Sequence, residues 1–253
     1  MNLPAGPAAP PSPPKRQRNA RGQGARLTGE IVSGALALID RTGSDEAVTL
    51  RAVAREVGIA APSIYAHFPD RDSIMAAVVT RIFDELTAAI SRGITQAGDD
   101  RVDRLIAGCE AYVGFGLAHP ARYGVLFSAL RMAASDCEPA AIGARGRPAL
   151  AFGAESFALL VDAIEDCVTA GVSASSDVVA DATAVWVALH GTVSLRTALA
   201  GQFPWPEPRE FVRGLVLTLA KVTAPGREAP PAPAGPRVMT AGQPRVMTAG
   251  QPR

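Results

Sequence analysis

The segment Thr49–Phe68, TLRAVAREVGIAAPSIYAHF, limits the fold of this chain more than any other stretch. Thr49 is a good N-cap for a short helix, and Gly58 is a good residue to end one in the left-handed conformation. Pro62 suits the first turn of a second helix. Two short helices joined through a glycine must meet at a tight corner. Ala54 lies where the helices approach, and only a small side chain fits there. Ile59 plugs the corner, and Ile64 packs back onto the first helix. A small residue, a glycine four later and an aliphatic six after that form the packing skeleton of a helix-turn-helix.

The same spacing sorts the side chains that remain. Ile64 and Phe68, four apart, face the core, while Ser63, Tyr65 and His67 point elsewhere. A short second helix of this kind can enter a major groove, and Tyr and His can hydrogen-bond phosphate. Ala61, Pro62 and Ser63 are expected nearest the base edges, with Thr49 at the start of the preceding helix. Asp70 caps the next helix, and Arg71 opens it. The charge of Arg71 beside free N–H groups at a helix start predicts an anion site.

Outside this unit the signal is helical throughout. Residues 27–43 place Ile31, Ala35, Leu38 and Ile39 on one face and stop at Gly43. Ile74, Val78, Ile82, Leu86 and Ile90 recur every four residues in a long helix after Asp70. Further helical stretches run to Pro120, Gly171 and Gly201, and residues 134–148 read as a loop. The last helix carries Phe211, Leu215, Leu219 and Val222 on one stripe. No strand pattern is convincing. The fold class is all-α, with about nine helices: a three-helix N-terminal domain over 26–72 and a larger helical domain over 73–224. Residues 1–25, rich in proline and basic side chains, and residues 225–253 lack periodicity and are expected to be disordered. The tail repeats RVMTAGQP in tandem, too little for a solenoid.

Bulk properties add exclusions. Cys109, Cys137 and Cys167 are odd in number and widely spaced, which predicts reduced thiols. The proline-broken N-terminus does not read as a secretion signal. The longest uncharged apolar run, Ala182–Leu195, spans 14 residues and contains His190, against roughly 20 for a membrane span. A soluble, cytoplasmic chain with no membrane partner is expected. His67, His119 and His190 lie far apart, so no metal site is expected. No phosphate-binding glycine loop and no G-x-S-x-G are present. Neither a cofactor nor catalytic residues are therefore expected.

The residues 49–74, TLRAVAREVGIAAPSIYAHFPDRDSI, resemble the DNA-binding domain of the TetR family of bacterial regulators. The resemblance covers about Gly29 to Val79. Arg71 stands where the family has Lys, and Ala60 stands where Ser is usual. AYVGFGLAHPARYGVLF and VWVALHG resemble the branch whose C-terminal domain carries Trp-x-x-x-His-Gly, here Trp186, His190 and Gly191. The resemblance implies a homodimer joined by helices eight and nine, a double-stranded DNA operator and a small-molecule effector. It implies a repressor whose two recognition helices change separation when ligand binds.

Tyr112, Phe115, Phe127, Phe152 and Phe157 are candidate walls of an apolar ligand pocket. Trp186 and His190, one turn apart, are further ligand candidates, or else a buried pair satisfied within the fold. Lys15, Arg16, Arg18, Arg21 and Arg26 precede the first acidic residue and can act as a flexible arm on DNA, or as an ordinary solvated tail. Two other readings stay open: a regulator without an inducer, governed by expression or a protein partner, and an enzyme domain fused to a DNA-binding one.

Overall fold

The computed structural model describes residues 24–135 and 147–223, with the side chains of 129–135 and 147–152 left aside. Residues 136–146 of the expected loop, Cys137, the Phe152 side chain, most of the basic arm and the repeated tail lie outside these described residues, while 134–135 and 147–148, expected in that loop, are helical. Nine α-helices are present among them: α1 Gly24–Thr42, α2 Leu50–Val57, α3 Ala61–Ile64, α4 Arg71–Gln96, α5 Arg101–Ala118, α6 Pro120–Ser135, α7 Arg147–Thr169, α8 Val178–Ala198 and α9 Pro208–Leu219. The only β pairing there is one isolated bridge, Ser173 to Val222.

The helix ends follow the local chemistry. Thr49 accepts from the Ala52 N–H and caps α2, and Gly58 ends α2 at φ 72°. Asp70 accepts from the Ser73 N–H while the Ser73 hydroxyl accepts from the Asp70 N–H, a capping box that starts α4. Gly43, at φ 75°, turns the chain out of α1 into a single 3-10 turn, Asp45–Ala47.

Helices α1 to α3 form the small domain, with Ile31, Ile39, Val48, Val53 and Ile64 fully buried. Ala54 is 2 % exposed at the corner, and the Ile59 N–H donates to its carbonyl at 2.9 Å. The long α4 leaves this domain and runs into the second one. Its Ile74, Val78, Ile82, Leu86 and Ile90 stripe is buried along its length. Helices α5, α6 and α7 pack on it, and α8 and α9 pack on α5 in turn.

One element differs from expectation. In α9 the inward row is Val212, Val216 and Ala220, while Phe211, Leu215, Leu219 and Val222 are only half-buried. The two rows lie one residue apart and are equally apolar, so packing alone selects between them. In α8, Asp181, Ala182, Val185, Leu189, Thr192 and Val193 face inward. A second face is uncovered: Ala180, Ala184, Val187, Leu195 and Ala198 are exposed, with Gly191 half-buried among them. This second face explains why α8 is long and apolar enough, by length and composition, to cross a membrane. Only one of its apolar faces belongs to the core of this chain. Its first turn also carries Asp181, held by Lys221 Nζ at 2.9 Å.

Candidate functional site: a DNA-reading corner and an apolar cavity

The helix-turn-helix presents a small polar face. Thr49, Arg51, Pro62, Ser63 and Tyr65 are all exposed, and Tyr65 retains 58 % of its surface. Ala61 is half-buried. Helix α3 is a single turn, continued by a turn through Tyr65–His67 in which the His67 and Phe68 N–H groups both donate to the Ile64 carbonyl. Ala60 gives α3 no side-chain cap. Ile64 and Phe68 are buried, as their spacing requires.

Two candidate contacts are placed differently from the sequence reading. The Arg71 guanidinium turns inward: Nε donates to the Val48 carbonyl at 2.9 Å, and Nη2 donates to the Asp45 carbonyl at 2.7 Å and to Asp45 Oδ2 at 3.0 Å. It ties the start of α4 to the 3-10 turn, so its charge is largely spent inside the domain. The Asp70 carboxylate occupies the helix start beside it, which opposes an anion site there. His67 is half-buried, with Nδ1 3.1 Å from the Thr28 hydroxyl of α1. Thr28 itself donates to the Gly24 carbonyl, which leaves His67 Nδ1–H as the donor to Thr28. His67 thus anchors the first turn of α1, where the basic N-terminal segment joins. Arg26, in that turn, pairs with Glu30.

Arg51 was not singled out by the sequence, because only the inward positions of α2 were assigned. It lies two residues after the Thr49 cap, exposed, with no ion-pair partner among the described residues. An unpaired cation beside a helix N-terminus is suited to a phosphate.

The second feature is a cavity of about 370 Å³ inside the larger domain, bounded by α4, α5, α6, α7 and α8. Tyr112, Phe127, Phe157 and Trp186 form its aromatic walls, with Phe83 joining them. Leu86, Ile90, Leu105, Leu160 and Leu189 supply much of the rest. Phe115 does not line it. It is buried on another side of α5, with its ring 5.1 Å from His119. His190 stands behind the wall, its ring centroid 3.8 Å from Phe127 and 6.3 Å from Trp186.

A hydrogen-bonded chain ties that wall together. The Tyr112 and Tyr123 hydroxyls meet at 2.9 Å, and Tyr123 reaches His190 Nδ1 at 2.8 Å. Burial pushes the Tyr112 hydroxyl up to about 12 and lowers His190 below its usual range, so both are neutral near pH 7. The residue before Tyr123 faces the other domain. Arg122 Nε and Nη2 clasp both Asp40 oxygens of α1, at 2.8 and 2.5 Å, and Nη1 donates to Glu85 of α4 at 2.6 Å. Helix α6 therefore touches the cavity wall and the DNA-reading domain through adjacent residues.

The chain is similar to known regulators along most of this length. Residues 31–78 match the family model described as bacterial regulatory proteins, tetR family. Residues 105–219 match the tetracyclin repressor-like C-terminal domain, the segment that contains Trp186, His190 and Gly191. An uncharacterized HTH-type transcriptional regulator, Rv0681, of Mycobacterium tuberculosis is 33% identical over 115 residues, 45% of this chain and 51% of that one. The match thus spans about half the length of that curated relative. A solved protein of unknown function from Rhodococcus sp. RHA1 superposes with a TM-score of 0.64 at 24% identity, covering 77% of this chain and 93% of that one. A regulatory protein in the tetR family from Rhodococcus RHA1 gives 0.55 at 20% identity, covering 78% and 97%. These likenesses extend over both domains, and the chain belongs to the TetR family of bacterial regulatory proteins.

Proposed function

We infer that this chain is a transcriptional repressor that binds a near-palindromic operator as a homodimer and leaves it when a small apolar molecule fills the cavity. The observation that carries the reading is the pairing of an outward-facing helix-turn-helix with an apolar cavity in one chain, joined by α4 and α6. Thr49, Arg51, Pro62, Ser63 and Tyr65 form the DNA face, with Arg51 on phosphate and Pro62 and Ser63 nearest the bases. Tyr112, Phe127, Phe157 and Trp186 contact the ligand. Its place of action is the cytoplasm, with the chromosome. A regulator without an inducer is disfavoured, because a cavity of about 370 Å³ falls within the ordinary range for ligand sites.

A cavity-filling variant tests the reading. Ala163 lines the cavity, so Ala163→Phe places a ring in the ligand's volume. The expected result is ligand uptake reduced about a hundredfold or more, with operator binding no longer responsive to added ligand. Ligand uptake and ligand-driven operator release that both stay at the parent's level, in a variant with an unchanged melting temperature, contradict it.

Arg51 and Arg71 separate in the same assay. Arg51→Ala is expected to weaken operator and non-operator DNA alike and to lower the salt-dependence slope by about 1. Arg71→Met is expected to lower the melting temperature by about 3–6 °C, as loss of roughly 1–2 kcal/mol does in a chain of this size. It should leave the slope nearly unchanged.

A further inference from the structure

The lining of the cavity narrows the class of molecule it can hold. Among the described residues, its walls contain no Asp, Glu, Lys, Arg or His. Each hydroxyl on the lining already has a partner. Thr183 donates to the Val179 carbonyl at 2.7 Å, Ser156 pairs with Thr87 at 2.6 Å, and Tyr112 pairs with Tyr123 at 2.9 Å. The Cys109 thiol is fully buried, and desolvation pushes it up to about 12, so it stays uncharged. His190 touches the back of the wall as a neutral imidazole, turned toward Tyr123 and Ser194.

Among the described residues, a ligand carboxylate or ammonium would leave water and meet no counter-charge and no spare strong donor. An uncharged hydrocarbon loses little water and gains five aromatic faces and a ring of aliphatic side chains. We propose that the effector is an uncharged, mainly hydrocarbon molecule, and that the cavity rejects the acid or amine of the same carbon skeleton. A single hydroxyl on it can donate to the Tyr112, Ser156 or Thr183 oxygen, each of which keeps a lone pair beyond its existing hydrogen bond. This deepens the reading of the cavity as the effector site and rests on it.

The test uses N-phenyl-1-naphthylamine, a neutral dye whose fluorescence rises in apolar surroundings, with the full chain at pH 8. Matched competitors are 1-decanol against decanoate and 1-naphthalenemethanol against 1-naphthoate, all below micellar concentrations. The alcohols are expected to displace the dye at concentrations at least fiftyfold lower than the acids. Ala163→Phe should abolish the dye signal, which locates it in the cavity. Acids that compete within threefold of their alcohols overturn the neutral-ligand inference while leaving the effector site in place. No dye uptake, with no shift in melting temperature from either alcohol, overturns the effector site itself.

Discussion

Two glutamates on the uncovered face of α8, Val187→Glu with Leu195→Glu, are expected to give a folded monomer whose operator affinity is about a thousandfold lower. The face repeats at four- and three-residue steps through Ala180, Ala184, Val187, Gly191, Ser194 and Ala198, which is the spacing of a helix-on-helix seam. Its members are mostly small, so a partner helix can approach closely. Val187 and Leu195 keep 57 % and 52 % of their surface in the single chain, so charges there leave the subunit core intact. Across a dimer, the same charges would be buried opposite their own copies, an uncompensated like-charge contact. A monomer has one reading helix, and linking two such modules typically gains 10²–10⁴ in apparent affinity. Sedimentation should show a single subunit mass with an unchanged helical spectrum. A dimer that persists, with full operator affinity, places the interface elsewhere.

Replacing Arg122 should uncouple the two halves without emptying either. Arg122 is 18 % exposed and holds Asp40 of α1 and Glu85 of α4 together. Without it, two carboxylates face each other across the domain boundary. A fully buried pair broken in this way costs about 3–5 kcal/mol. Asp40 keeps 39 % of its side-chain surface, so water screens the loss, and about 1–2 kcal/mol is expected for Arg122→Met. The larger effect is on communication. Ligand that moves Tyr112, Tyr123 and α6 acts on α1 through the contacts of α6 and of α4, and Arg122 joins all three helices. Allosteric coupling is typically 5–150-fold in affinity. In Arg122→Met, saturating ligand should change operator affinity by less than twofold, while ligand uptake stays close to that of the parent. Linkage makes the converse measurement equivalent: operator DNA should no longer weaken ligand binding.

The Asp40 contact also has a pH sign. Its hydrogen bond to Arg122 holds its carboxyl below the ordinary 3.8. A carboxyl lowered in the folded state contributes its stability above the unfolded value and loses it as pH falls through the folded one. The latch is therefore intact at neutral pH and opens only in acid, below the usual carboxylate range.

The helix-turn-helix was legible because a tight corner accepts few residue types. Ala54, Gly58 and Ile64 each fill a position where another side chain fails, and local chemistry at Thr49 and Asp70 sets the helix starts. Arg71 was legible as a charge but not as a contact. Its partners, Val48 and Asp45, are 23 and 26 residues earlier and come close only after the 3-10 turn forms. The inward row of α9 was not decidable from its own residues, since Val212 and Val216 alternate with an equally apolar Phe211 and Leu215. The exposed face of α8 was implied by the family resemblance, which gives helices eight and nine to a dimer, but not by the residues of α8 themselves, for a related reason. Alanine and glycine give a weak apolar signal, although their smallness is what a close helix pair requires. Of the aromatic candidates, Tyr112, Phe127, Phe157 and Trp186 converge on the cavity. Phe115 lies one turn along α5 from Tyr112 and packs on another side, a difference that only the third dimension resolves.

The most direct measurement of the central claim is recovery of genomic fragments bound by the full chain, followed by footprinting of the preferred site. The account predicts protection of two inverted half-sites, their centres one helical turn or a whole multiple of it apart, about 34 Å per turn, and release on adding 1-decanol. Fragments with no common sequence, or a single protected half-site bound by one subunit, would contradict it.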